Sequence, residues 1–299
     1  MVKTIINSNI NEAEVVFVSA PYEKTASSHK GTVGGPAAVV EQLNHQIEFF
    51  SRRFKKDITN FVKIGHEDLG EDLNKLSPVE NAFKIENVCQ ELIKKDKFVF
   101  MLGGEHAVSV GHLRALSKKY NPKDVTILHI DAHCDLRNDD SDYNENESSD
   151  LAHSTVMRRA SELGFPLVQV GIRTYSEDEY KYFSNKKNNV TVFEWPARAG
   201  GGTPKISDIL KCLKTKYLFI SVDVDGFDPA HMPGTGTVVQ GGLEWWYGIS
   251  LLEQAIAKKE LVGADIVEVS PLPDSQLTEY GAAQLAYTII GAKFAKRLK

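Results

Sequence analysis

The chain has few means of covalent crosslinking. Its three cysteines, Cys89, Cys134 and Cys212, are far apart and form no CxxC pair. That excludes a disulfide framework and points to a reducing compartment. No apolar run approaches the roughly 20 residues of a membrane-spanning helix. The first seven residues, Met-Val-Lys-Thr-Ile-Ile-Asn, hold no apolar stretch of signal-peptide length. The expectation is a cytoplasmic protein without a membrane partner. Basic blocks are missing too: 35 Lys and Arg stand against 40 Asp and Glu, a net charge of −5. Scattered cations on an acidic chain leave no nucleic-acid footprint. What remains is 299 residues that are 42% hydrophobic and 25% charged, ordinary globular composition with ample surface to bury.

Short apolar runs alternate with amphipathic stretches along nearly the whole length. Strands are predicted at 15–19, 98–102, 125–130, 167–170, 190–193, 217–222 and 266–269. Several are almost purely apolar, as strands covered on both faces are. Helices are predicted at 35–50, 78–95 (after the N-cap candidate Ser77), 243–258 and 275–296. Repeated β-α alternation predicts an α/β fold, three layers with a mainly parallel doubly wound sheet. No domain boundary is visible, so residues 1–299 read as one domain. The segment 138–150 carries six acids and no base, and reads as an exposed loop. The Gly200-Gly201-Gly202 run lacks the context of a phosphate cradle and reads as a flexible turn.

Chemistry gathers at strand ends, where open parallel sheets build their sites. Gly103-Gly104-Glu105-His106 closes the second apolar run. Asp131, His133 and Asp135 follow the third at i, i+2 and i+4, which in extended chain puts them on one face. Asp223 and Asp225 repeat that spacing after the sixth. Four carboxylates and two imidazoles brought together would repel strongly unless cations neutralised them. Oxygen and nitrogen donors without thiolate suit Mn²⁺, and six side chains exceed the needs of one catalytic ion, so two metals are expected. His129 and Cys134 have the opposite parity and read as packed or hydrogen-bonded residues. His29, His45, His66, His112 and His231 have no ligand-like partners.

These three segments, with Ser221-Val-Asp-Val-Asp-Gly-Phe-Asp-Pro229 as the last, resemble the three signatures of the arginase–agmatinase (ureohydrolase) family. The resemblance extends to Pro21–Thr25, Lys30–Pro36, Pro233–Thr237 and Val267–Pro271, and so covers essentially the whole chain. It implies that His106, Asp131, Asp135 and Asp223 hold one Mn²⁺ and that Asp131, His133, Asp223 and Asp225 hold the other, with Asp131 and Asp223 bridging. It implies hydrolysis of a guanidinium group with release of urea. Asp225 would orient the nucleophile and pass a proton, Glu268 would grip the guanidinium, and His153 would shuttle protons. Trimers or hexamers are common in the family, so a homo-oligomer is expected. Glu105 stands where many members carry Asp, at a position that binds no metal.

The substrate reading favours a small cationic guanidine. Ser176 occupies the place, three residues after Arg173, where arginases resemble one another in carrying an amine-binding Asp. The acidic segment 138–150 would attract an ammonium and repel a carboxylate. Arg137 is expected to pair with Asp139 or Asp140. Agmatine, giving putrescine and urea in polyamine biosynthesis, is therefore expected ahead of arginine, guanidinobutyrate or formiminoglutamate. A single-zinc deacylase and a metal-free, non-catalytic relative are the readings from other classes.

Overall fold

The computed structural model describes residues 3–196 and 202–298; most of the Gly200–Gly202 run lies outside them. In chain order the strands are β1 (Val15–Ala20), β2 (Phe50–Ser51), β3 (Lys56–Asp57), β4 (Ile64–Asp68), β5 (Phe98–Gly103), β6 (Val125–Ile130), β7 (Leu167–Ile172), β8 (Val190–Glu194), β9 (Tyr217–Asp223) and β10 (Glu260–Val267). The helices are α1 (Gly35–His45), α2 (Pro78–Lys94), α3 (Ser109–Ser117), α4 (Val156–Leu163), α5 (Glu177–Ser184), α6 (Ile206–Cys212), α7 (Trp245–Lys258), α8 (Leu277–Lys293) and the single turn α9 (Ala295–Leu298).

Eight strands form one sheet in the order β4-β1-β5-β10-β9-β6-β7-β8, and every pairing in it is parallel. The interior strands β1, β5, β6 and β7 are buried at every residue, which their unbroken apolar runs require. Alternate side chains feed two cores. Phe17, Phe100, Leu128 and Ile220 pack with residues of α1, α7 and α8. Val16, Val99, Met101 and Ile127 pack with residues of α2, α3 and α4. Each such side chain contributes about 1.5–3 kcal/mol on burial. The predicted α/β/α layering is what forms.

Local signals behave as their chemistry dictates. Ser77 caps α2 in a reciprocal box with Glu80. Three departures from expectation are larger than a shift of two or three residues at an element's end. The first helix stops at His45, and the chain turns into the antiparallel hairpin β2–β3. Strand β4 went unpredicted: its Ile-Gly-His-Glu-Asp sequence is that of a half-exposed edge, with no apolar run. Strand β10 begins six residues before its predicted start, because Gly263 and a register irregularity beside Leu261 interrupt the run. It ends at Val267, so Glu268 and Val269 lie beyond it.

The four central strands β5, β10, β9 and β6 are neighbours. Their carboxyl ends deliver His106, Glu268, Asp223 and Asp131 to one place.

Candidate metal centre

Strand β5 stops where Gly104 passes under the backbone of Tyr22; a Cβ there would lie 2.2 Å from the Tyr22 carbonyl oxygen. Glu105 then turns inward and accepts hydrogen bonds from the Thr25 amide (2.9 Å) and hydroxyl (2.6 Å). Burial pushes its carboxyl up to about 7. His106 opens a short 3-10 turn, and its amide donates to Glu268 Oε1 at 2.8 Å.

The i, i+2 spacing works by turns rather than by extended chain. Strand β6 ends at Ile130, and Asp131 Oδ1 accepts the His133 amide at 2.6 Å. Strand β9 ends at Asp223, whose Oδ1 accepts the Asp225 amide at 2.9 Å within a 3-10 turn. In each pair the first carboxylate bends the chain that presents the second ligand. Asp135 sits at φ 52° and Glu268 at φ 62°. Such left-handed backbone costs a residue with a Cβ and collects where function over-determines the structure.

The result is two groups of donors sharing one carboxylate. His106 Nδ1 lies 3.0 Å from Asp135 Oδ2 and 3.4 Å from Asp131 Oδ2, with Asp223 Oδ2 at 3.6 Å. His133 Nδ1 lies 3.1 Å from Asp225 Oδ2 and 3.4 Å from Asp131 Oδ1. Asp131 thus offers one oxygen to each group. His129 joins the first group through Nε2, 2.8 Å from Asp131 Oδ2. It is hydrogen-bonded to Gln169 as well, in keeping with the expected strand histidine. Cys134 packs in the core.

The charges show strain that protein partners leave unresolved. Burial and then the charges of Asp225 and Asp131 hold Asp223 well above the usual carboxylate range. Asp131 goes the other way: burial opposes ionisation, but His129, His106 and His133 outweigh it. Burial would discharge His106 and His133, yet the surrounding aspartates raise both. His106 Nδ1 and Asp131 Oδ2 are buried and make no hydrogen bond. Orphaned buried donors and acceptors are rare in native proteins. Here they converge as a hard and borderline oxygen–nitrogen set that fits a divalent cation.

The arginase-family model matches residues 13–291. The chain belongs to the arginase family. It is 32% identical over 283 residues to the N(1)-aminopropylagmatine ureohydrolase of a Synechocystis species, covering 94% of this chain and 89% of that protein. It is 32% identical to the agmatinase of Bacillus subtilis, covering 88% and 86%. The crystal structure of agmatine ureohydrolase of Thermoplasma volcanium superposes with a TM-score of 0.83 at 28% identity, over 98% and 94% of the two chains. Among these relatives the chain is an agmatinase-like hydrolase.

Around this arginase-family cluster lies a cavity of about 310 Å³, lined among others by His133, Asp135, His153, Tyr143, Arg137 and Glu179. His153 is nearly buried, with Nδ1 3.6 Å from Glu268 Oε1 and its ring edge-on to Tyr143. Burial lowers its basicity, but Glu268, Glu105 and Asp135 outweigh that and raise it.

The acidic segment 138–150 is the exposed loop expected, with two departures in detail. Asp140 is fully buried and accepts from the Ser149 amide and Asn144. Asp142 pairs with Arg137, which therefore meets neither Asp139 nor Asp140. Asp139 is taken by Ser141 and Asn138. The loop lines the cavity with Tyr143, while the carboxylate on the cavity wall beyond the cluster is Glu179. It accepts from the Leu136 amide (3.0 Å) and from Ser176.

Sequence reading missed the supports. Arg173 donates to the carbonyls of Asp225 (2.7 Å), Val239 (2.8 Å), Gly171 and Gln240 (both 3.1 Å), tying the 233–242 loop to the cluster. Thr237 Oγ1 donates to Asp225 Oδ2 at 2.9 Å. Ser221, Asp265 and Gln169 are buried in the sheet beneath. Their signal was a polar residue inside an apolar strand, which shows no partner until strand order is known.

Proposed function

We propose that the chain is a two-metal ureohydrolase that releases urea from a small cationic guanidine, with agmatine as substrate and putrescine as the second product. The observation that carries this reading is Asp131, one carboxylate with an oxygen in each of two ligand groups. His106, Asp131, Asp135 and Asp223 would hold one Mn²⁺, and Asp131, His133, Asp223 and Asp225 the other. Such a pair, when bound, supplies a nucleophile at neutral pH by lowering the pKa of water to about 7.

The protein's own groups do the rest. Glu268 Oε1 is fixed by the His106 amide, which aims its carboxylate at the centre; a carboxylate and a guanidinium match as planar partners. Asp225 is held at both oxygens, by the Ala132 amide (3.0 Å) and Thr237, and orients a proton toward the leaving amine. His153 faces Glu268 with Nδ1 and keeps Nε2 without a protein partner, an arrangement that suits proton transfer at the cavity wall. Glu179 gives the cavity a negative charge for the ammonium end.

The relatives named N(1)-aminopropylagmatine ureohydrolase support a second substrate, agmatine extended by an aminopropyl group. The deciding experiment is urea release from agmatine, N(1)-aminopropylagmatine, arginine and guanidinobutyrate, with metal content measured on the same sample. Two Mn per chain and preference for a carboxylate-free guanidine are expected. Efficient arginine cleavage would overturn the substrate; a single zinc, or no bound metal, would overturn the mechanism. A cytoplasmic homo-oligomer of one domain per chain belongs to the same reading, and its size is checked by light scattering.

A further inference from the structure

Four polar side chains lie side by side across the middle of the sheet. In register, Asp265 on β10 is level with Ser221 on β9, Ser221 with His129 on β6, and His129 with Gln169 on β7. All four are fully buried. Apolar residues would stabilise a sheet interior at less cost, because each buried polar group must be desolvated. The row lies two residues below Asp131 and Asp223.

The hydrogens in this row have a direction. As a carboxylate Asp265 only accepts, so Ser221 Oγ donates to Asp265 Oδ1 at 2.6 Å. The Ser221 oxygen then accepts from His106 Nε2 at 2.9 Å. His106 carries its hydrogen at Nε2 and presents a lone pair at Nδ1, the atom facing Asp131, Asp135 and Asp223. On the other side, Gln169 Nε2 lies 2.6 Å from the Cys134 carbonyl, which can only accept. The amide nitrogen is thereby identified, and its second hydrogen goes to His129 Nδ1 at 2.9 Å. His129 must carry its hydrogen at Nε2, the atom facing Asp131. Two rings only 5.1 Å apart thus meet one carboxylate with opposite character.

We propose that the row Asp265–Ser221–His129–Gln169 sets histidine tautomers: Asp265, acting through Ser221, makes His106 a metal ligand, and Gln169 engages the lone pair of His129, so that the ring turns an N–H toward Asp131 and stays off the ion. Asp265 and Gln169 are positioning residues. The inference rests on the metal-centre reading above.

The test titrates metal-free, full-length protein with Mn²⁺ by calorimetry and records its melting temperature. Asp265→Leu removes the acceptor; one of two sites should weaken by about 10–100-fold. The metal-free protein should melt at the same or a higher temperature, since a buried, desolvated carboxyl group has gone. Asp265→Asn keeps an acceptor oxygen and should retain most of the affinity. Should Asp265→Leu fail to fold, Ser221→Ala carries the same expectation of weakened binding. In protein with ¹⁵N-labelled histidine loaded with diamagnetic Zn²⁺, His106 should bind through Nδ1 and His129 should keep its Nε2 hydrogen. Wild-type affinity in a folded Asp265→Leu protein, or metal bonded to His129, overturns the proposal. Wild-type protein that takes up no Mn²⁺ overturns the metal-centre reading itself.

Discussion

Charged side chains crowd both ends of the sheet, and the two ends treat them in opposite ways. At the amino-terminal ends of the strands, Lys97 donates to the carbonyls of Asn11 and Ala13, Lys119 to Ile93, Lys259 to Thr215 and Lys293 to Leu261. Arg297 pairs with Glu14 at 2.6 Å. Each of these lysines closes a backbone acceptor, and the arginine closes a carboxylate. At the carboxyl-terminal ends, aspartates and histidines face one another with atoms left unpaired. The first arrangement is complete without help and reads as structure. The second is complete only with something added, which is how a site differs from a scaffold.

The comparison breaks most sharply at Asp131. Asp131→Ala should remove an oxygen from both ligand groups, strip the metal and lower turnover by about 10³-fold or more, since metals supply several kcal/mol of transition-state stabilisation. Added Mn²⁺ should raise the melting temperature of wild type and not of the variant. Near-normal metal content and turnover would refute the shared-carboxylate geometry.

Next comes His153→Ala, which should lower kcat by about 10²-fold while metal content stays intact. Loss of a metal in that variant would move His153 into the ligand set.

A smaller effect is expected at the cavity wall. Glu179→Gln should raise KM for agmatine about fivefold, roughly 1 kcal/mol, because a buried carboxylate on the cavity wall loses its charge. Asp139→Asn and Asp142→Asn should change it less than about twofold, because exposed, already paired charges contribute little. The reverse ranking would restore the acidic loop as the source of specificity.

The structural end should leave turnover untouched and change stability alone. Burial pushes Lys293 down to about 8 from its ordinary 10.5. The unfolded chain therefore binds more protons between those values, and stability should rise with pH across that window. Below it the buried charge is a constant penalty, at most about 3 kcal/mol. Lys293→Met should flatten the rise in denaturant midpoint between pH 8 and 10.5 and leave kcat unchanged. An unaltered pH profile would mean that the ammonium is already fully compensated by Leu261 and the ring of Phe98, 4.4 Å away.

The ligands were legible in the sequence because each follows a run too apolar to be anything but a buried strand. Gly103-Gly104-Glu105-His106 announces a strand end by its glycines, and Asp131 and Asp223 by a sudden change of polarity. Their supports were not. Asp265 and Ser221 are 44 residues apart, and only the order β10-β9-β6-β7 makes them neighbours. Asp140 looked like one exposed acid among six, because burial within a loop leaves no periodicity. Strand β4 was invisible for the converse reason: an edge needs little apolar sequence. The route to Asp225 was also misread, since a turn and an extended strand share the i, i+2 spacing.

Arg173 gives the mouth of the cavity a mechanical property. One guanidinium fastens the 233–242 loop to the same turn that carries Asp225, and Thr237 fastens it again from the other side. The loop cannot swing aside to admit a guanidine or let urea leave without loosening Asp225. Access and reactivity are geared together, so a substitution that quickens exchange at the mouth should slacken the group that must be rigid when the bond breaks.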